Sequence, residues 1–264
     1  MHKVFFNIAI VLLCALMVFS FLAIVNTAVR NNAEKKDFES LALLTQTPPE
    51  TTMGEAQDYG SNSIQTEQEP IFTRNLNPLY EKNSDCIGWI CIPDTAVDYP
   101  VMHTPQNPQK YLRKNFDCEY SSSGVPFLHE NNTLDSDNLI IYGHNMKNGT
   151  MFSDITRYRN DTYCAEHPTI ELETRRGLKL YTVFAVVQVK NNNTWYQFIT
   201  ANDEEDYTNR IKMISEAALY TFGASPQYGQ QLLTLSTCYG NSKNDRLIII
   251  AAEYIKNIAE NDDM

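Results

Sequence analysis

Residues 231–254 read QLLTLSTCYGNSKNDRLIIIAAEY. Two runs rich in Leu, Ile, Thr and Ala flank a short segment of Tyr, Gly, Asn, Ser, Lys and Asp. Apolar and β-branched runs separated by turn residues read as two strands joined by a hairpin. Cys238 ends the first run and Arg246 opens the second. If the two strands pair as neighbours, Arg246 lies near Cys238. A nucleophile at a strand end, beside a turn, is reachable while its backbone stays fixed.

Outward from this pair, strand patterns dominate. CIGWICIP, DYPVM, VPFLH, NLIIYGH, TIELET and LKLYTVFAVVQVK carry the same apolar or β-branched signal. PDTA, SSSG and NNTLDSDN separate several of them. One helical pattern stands out, EEDYTNRIKMISEAALYT. It has acidic residues in its first turn and Ile211, Ile214, Ala218 and Leu219 at helical spacing. Shorter helices are expected over Pro78 to Asn83 and after Met151. Many short strands with few helices predict a mainly β fold, an antiparallel barrel rather than alternating βαβ units.

The N-terminal end is different. VFFNIAIVLLCALMVFSFLAIV, residues 4–25, carries no charge and is long enough to cross a bilayer as a helix. A cleaved signal peptide would have a shorter apolar core and a small-x-small site, and neither is evident. The expected organisation is a signal anchor over residues 1–30, a polar acidic stalk over 31–74, a body over 75–258 and a tail over 259–264. Within the stalk, EKKDFESLALL is expected to form a short amphipathic helix. Lys3 precedes the apolar run and Arg30, Lys35 and Lys36 follow it, so charge bias does not fix the orientation.

Composition excludes some functions. The 264 residues are 43% hydrophobic and carry a formal charge of -11. Nucleic acid and anionic lipid call for clustered Lys and Arg, so no nucleic-acid partner is expected. His103, His129 and His167 form no HExxH-like cluster, and no phosphate-binding glycine loop occurs, so neither metal nor organic cofactor is expected. Six cysteines are present; Cys14 lies in the apolar run, leaving an odd set of five. Most of these read as small buried hydrophobes, with Cys238 set apart by its position.

His144 ends the run NLIIYGH, so three strand ends each offer one polar group of a thiol site. Only a thiolate attacks well, and a neighbouring imidazolium or guanidinium favours it. His passes a proton to a leaving amine and takes one from an incoming nucleophile. Arg stays charged and can hold a carbonyl or a tetrahedral oxyanion. Taken singly, each residue type is more often structural than catalytic.

The words around these residues carry a resemblance. NLIIYGHNMKNGTMFSDI and LLTLSTC…RLIIIAAE resemble the two signature segments of sortases, the TLxTC pattern appearing as Thr234-Leu235-Ser236-Thr237-Cys238. GWICIPDTAVDYPVMHT, KNFDCEYSSSGVPFLHENN and the helical insert Glu204 to Tyr220 look like the class B branch. The resemblance spans most of Asn75 to Tyr254. It implies an eight-stranded closed barrel with added helices, and Cys238, His144 and Arg246 as the catalytic set. It further implies a thioester transpeptidation at a C-terminal NPxTx- or LPxTx-like sorting motif, cut after Thr. Surface or pilin proteins would be the donors, and a peptidoglycan precursor or pilin amine the acceptor. The enzyme would be held at the cell membrane with its body outside.

Four further residues are candidates for substrate binding. Ser236 lies two before Cys238, on the same strand face by alternation. Tyr196 resembles a groove aromatic of class B relatives, with Trp195 as competitor. Asn145 follows the His and would orient it or the peptide. Thr237 adjoins the nucleophile, although alternation turns it and Leu235 to the other face. Tyr142 reads as packing, and Asp245 as a screen for Arg246. Two rival readings are weaker. Papain-like peptidases place Cys before His, at a helix start, and caspase-like enzymes need a QAC-x-G signature that is missing here. A non-enzymatic binding barrel would leave Cys238 an inert buried thiol.

Overall fold

The computed structural model describes residues 2–46 and 71–254. Most of the expected stalk, the tail 259–264 and the last residues of the expected body lie outside the described residues. The chain divides into two compact units, Met1–Leu41 and Ala42–Met264.

The first unit is formed by helix α1, His2–Leu44, which ends just beyond it. No Gly or Pro interrupts this stretch, so nothing forces a break at the expected boundary near residue 30. A Lys35–Glu39 pair, 3.8 Å apart and one turn separated, supports its polar half. The segment expected as a separate amphipathic helix is therefore the end of α1. Its apolar half reaches a mean hydropathy of 3.1 with no burial, long and apolar enough to cross a membrane.

Among its described residues the second unit contains nine strands: β1 Cys86–Cys91, β2 Asp98–Met102, β3 Phe127–Leu128, β4 Asn138–Tyr142, β5 Thr169–Thr174, β6 Gly177–Lys190, β7 Tyr220–Thr221, β8 Leu232–Cys238 and β9 Asp245–Glu253. Their order is β5-β1-β2-β3-β4-β8-β9-β6-β7, and β5 also pairs with β6. That pairing closes eight strands into a barrel, and β7 hangs on β6 outside the ring. All eight expected strand runs are present. The ring is mixed rather than wholly antiparallel, because β2–β3 and β4–β8 are parallel.

β8 is buried at every position except Cys238. Covering on both faces explains why its sequence is almost continuously apolar instead of alternating. One cover is helix α4, Glu204–Ala217, capped by the Asp203 side chain, which accepts from the Asp206 amide. Tyr207, Ile211 and Ile214 of α4 pack with Trp195, Phe198, Leu232, Ile248 and Ile250. The helix stops at Ala217 rather than continuing to Tyr220, because Ala218 turns extended and the Leu219 amide donates to the Val186 carbonyl at 2.8 Å. Tyr220 then enters β7, and Leu219 is 47% exposed. The shorter helices appear as α2, Asn77–Lys82, and, after Met151, a 3₁₀ segment Asp154–Arg159 leading into α3, Asp161–Glu166.

Candidate active site

The β8–β9 ladder runs in register from Leu232↔Ala252 to Cys238↔Arg246. Strand pairing therefore places these two residues opposite each other on neighbouring strands, at the turn end of the hairpin. Parallel β4 lies on the other side of β8, with Tyr142 paired to Ser236. The pairing continues past β4: the Gly143 amide donates to the Ser236 carbonyl at 3.1 Å. The Thr237 hydroxyl donates to the Gly143 carbonyl at 2.8 Å. From the other side, the Phe152 amide donates to the His144 carbonyl at 2.8 Å. Only glycine fits at 143, since a β-carbon there would lie 2.5 Å from the Phe152 ring. The backbone of His144 is thus fixed by contacts before and after it.

His144, Cys238 and Arg246 line one open groove of about 670 Å³. Cys238 is exposed, and His144 and Arg246 are half-buried. The His144 Nε2 lies 2.9 Å from the Leu112 carbonyl. A carbonyl only accepts, so this nitrogen carries hydrogen and Nδ1 is the one left to exchange a proton. Burial disfavours the imidazolium and moves the His144 pKa down, as does nearby Arg113, while the Leu112 bond acts in the opposite sense. Arg246 donates through Nη1 to the carbonyls of Lys243 at 2.7 Å and Asp245 at 2.9 Å. Its other guanidinium nitrogens have no hydrogen-bond partner among the described residues, so donors remain for a substrate oxygen.

A Sortase domain model matches residues 90–254. The chain belongs to the sortase family. It is 36% identical over 170 residues to sortase B of Listeria monocytogenes, which covers 62% of this chain and 66% of the relative. Among solved structures, sortase B of Clostridium perfringens superposes with a TM-score of 0.64 at 29% identity, covering 69% of this chain and all of that one (100%). A Staphylococcus aureus sortase B–substrate complex gives a TM-score of 0.64 at 23% identity, covering 69% of this chain and 85% of the other. The class B likeness read from the sequence is borne out, and so is the closed eight-stranded barrel. The protein is an enzyme of the cysteine transpeptidase type.

Within the sortase groove the remaining candidates take distinct places. Ser236 Oγ and the Tyr196 hydroxyl lie 2.8 Å apart, and both residues line the groove. Trp195, the competing aromatic, is 5% exposed and donates from Nε1 to the Thr234 hydroxyl at 3.0 Å. It belongs to the core beneath. Asn145 donates from Nδ2 to the Cys238 carbonyl at 3.0 Å, so the side chain after the imidazole holds the backbone of the thiol. The Thr237 side chain is committed to Gly143 and buried; its contact ties the end of β8 to the residue just past β4.

Tyr142, His129, Glu130 and Leu112 line the groove of this sortase and escaped the sequence reading. Tyr142, expected to be packing, lies on the groove wall with its ring 5.9 Å from Tyr196 and 5.5 Å from Phe127. Its place at the end of β4, opposite Ser236, was the available signal. His129 and Glu130 follow β3 on the same wall, and Leu112 offers only a backbone carbonyl. None of the three has a sequence signature, because Leu112 depends on how the long β2–β3 connection folds back, and His129 and Glu130 on how the chain leaves β3 toward β4. Asp245 does more than screen: its carboxylate accepts from Lys190 Nζ and from the Ser242 amide, closing the hairpin turn that precedes Arg246.

Proposed function

We propose that Cys238 is the nucleophile of a two-step transpeptidation, with His144 as proton carrier and Arg246 as the oxygen-holding group. The observation that carries this reading is the in-register Cys238–Arg246 pair sharing one groove with His144. The thiol gives its proton to His144, and sulfur attacks the carbonyl carbon of a Thr in the donor's C-terminal sorting motif. Arg246 donates to the oxygen as it becomes anionic. The intermediate collapses, the C–N bond breaks, and His144 returns the proton to the departing amine. A thioester remains on Cys238. An incoming amine attacks it, loses a proton to His144, and takes the acyl chain as the thiolate leaves and is reprotonated. The depressed imidazole pKa suits a resting enzyme in which the His144 ring is neutral.

In this reading the donor is a surface or pilin protein with an NPxTx- or LPxTx-like motif. The acceptor is an amine of a peptidoglycan precursor or of a pilin. Ser236 and Tyr196 contact the peptide beside the thioester, and Asn145 and Thr237 position the thiol and imidazole backbones. The apolar part of α1, residues 4–25, anchors the enzyme in the cell membrane, with the barrel outside. Mass spectrometry on residues 71–264, mixed with both motif classes and small amines, tests this. A thioester adduct on Cys238 and an amine-linked product ending at Thr are expected. A wild-type protein that forms neither, while its Cys238 reacts with thiol reagents, overturns the reading.

A further inference from the structure

Charge is unevenly placed along the groove. Among its described lining residues Glu130 is the one carboxylate, and Arg246 the one permanent cation. Arg246 stands opposite Cys238. Glu130 sits on the far wall, just beyond β3, 43% exposed, and its closest charge partner is His129 Nε2 at 3.8 Å. Burial holds the His129 pKa down, so at neutral pH that ring leaves the carboxylate uncompensated. The aromatic rings of Phe127, Tyr142 and Tyr196 line the way between the two ends.

The strand registers set the distance. Phe127 pairs with Tyr142 and Tyr142 with Ser236, and the His129 amide donates to the Ile140 carbonyl, whose residue pairs with Thr234. His129 is thus two strands across and four residues down from Cys238. Those steps amount to roughly 16 Å between backbones, which an extended peptide spans in about five residues. The acyl-donor segment stays bound through both half-reactions, so this long wall serves the part of the substrate that is retained.

Resting on the transpeptidase reading above, we infer that Glu130 selects donors carrying a Lys or Arg side chain about five residues N-terminal to the scissile Thr. The selected position lies just upstream of a four- or five-residue sorting motif. The carboxylate is partly exposed, so its discrimination is modest, about three- to fivefold.

The experiment uses residues 71–264 and donor peptides in which one Lys is walked through the eight positions before the Thr, each matched with a norleucine peptide. The kcat/KM ratio of Lys to norleucine is expected to peak at one register, three- to fivefold, and to shrink as salt rises. In Glu130→Gln that ratio falls to one, and in Glu130→Lys it inverts in favour of a Glu-bearing peptide. A flat ratio at every register, or a peak that survives in Glu130→Gln, overturns the selection by Glu130 and leaves the transpeptidation standing. A wild-type protein that turns over no peptide overturns both.

Discussion

The Thr237 hydroxyl donates to the Gly143 carbonyl at 2.8 Å, so the residue before Cys238 is tied to the residue before His144. The thiol ends β8 and the imidazole lies two residues past β4, and this bond fixes one strand end against the other. Thr237→Val keeps the shape but leaves a carbonyl without its donor, at a cost of about 1–3 kcal/mol. The expected result is a lower unfolding temperature and a roughly tenfold slower acylation rate, with KM little changed. Thr237→Ser restores the hydroxyl and should recover most of the rate. Equal losses in Val and Ser variants would show that the methyl group matters instead.

Cys238 is the exposed thiol of the barrel unit. Burial pushes the Cys86 and Cys91 thiols up to about 12, and Cys164 is also buried and raised. A small thiol reagent at neutral pH should therefore modify Cys238 first in residues 71–264. Cys238→Ala should abolish turnover with an unchanged circular dichroism spectrum, since little volume is lost. Wild-type-like activity in that variant would remove Cys238 from the mechanism.

Arg246 spends Nη1 on its own turn and keeps further donors for the groove. Arg246→Lys preserves the charge but loses the planar fork. We expect kcat/KM to fall by about 100-fold or more, the scale on which a lost oxyanion donor is felt. Near-normal rates with Lys would mean that charge alone is enough.

His103, His129 and His144 all have pKa values moved below the 6.5 of a free imidazole, burial being the first cause in each. The unfolded chain then binds more protons as pH drops below 6.5, and the folded barrel loses stability until the folded-state values are passed. Chemical denaturation of residues 71–264 at several pH values should show a plateau of stability between about pH 7 and 8 and a decline below about 6.5. His144 should titrate below 6.5 by NMR. A midpoint above that value would contradict its desolvation.

The strands were legible because eight runs of apolar and β-branched residues are each bounded by turn residues. The hairpin was legible for the same reason, and with it the Cys238–Arg246 pairing. β7 was not, because Tyr220–Thr221 is two residues long and continues a helical pattern that tertiary pairing to Val186 cuts short. The choice between Trp195 and Tyr196 needed the fold: adjacent aromatics in a 3₁₀ turn point to different sides, one into the core and one to the groove. Leu112 and Glu130 were hidden because their roles arise from the path of connecting loops, which local pattern does not encode.

The ring has one thin join. β2 and β3 share a single register pair, Met102↔Phe127, whereas β8 and β9 share seven. The connection that spans this join, residues 103–126, also supplies the Leu112 carbonyl beneath His144. Amide exchange should find its fastest opening there, because local unfolding follows the fewest ladder bonds. The wall with the fewest ladder bonds is then the same one whose carbonyl decides which imidazole nitrogen of His144 is left free, whereas Cys238 sits on a ladder seven pairs long.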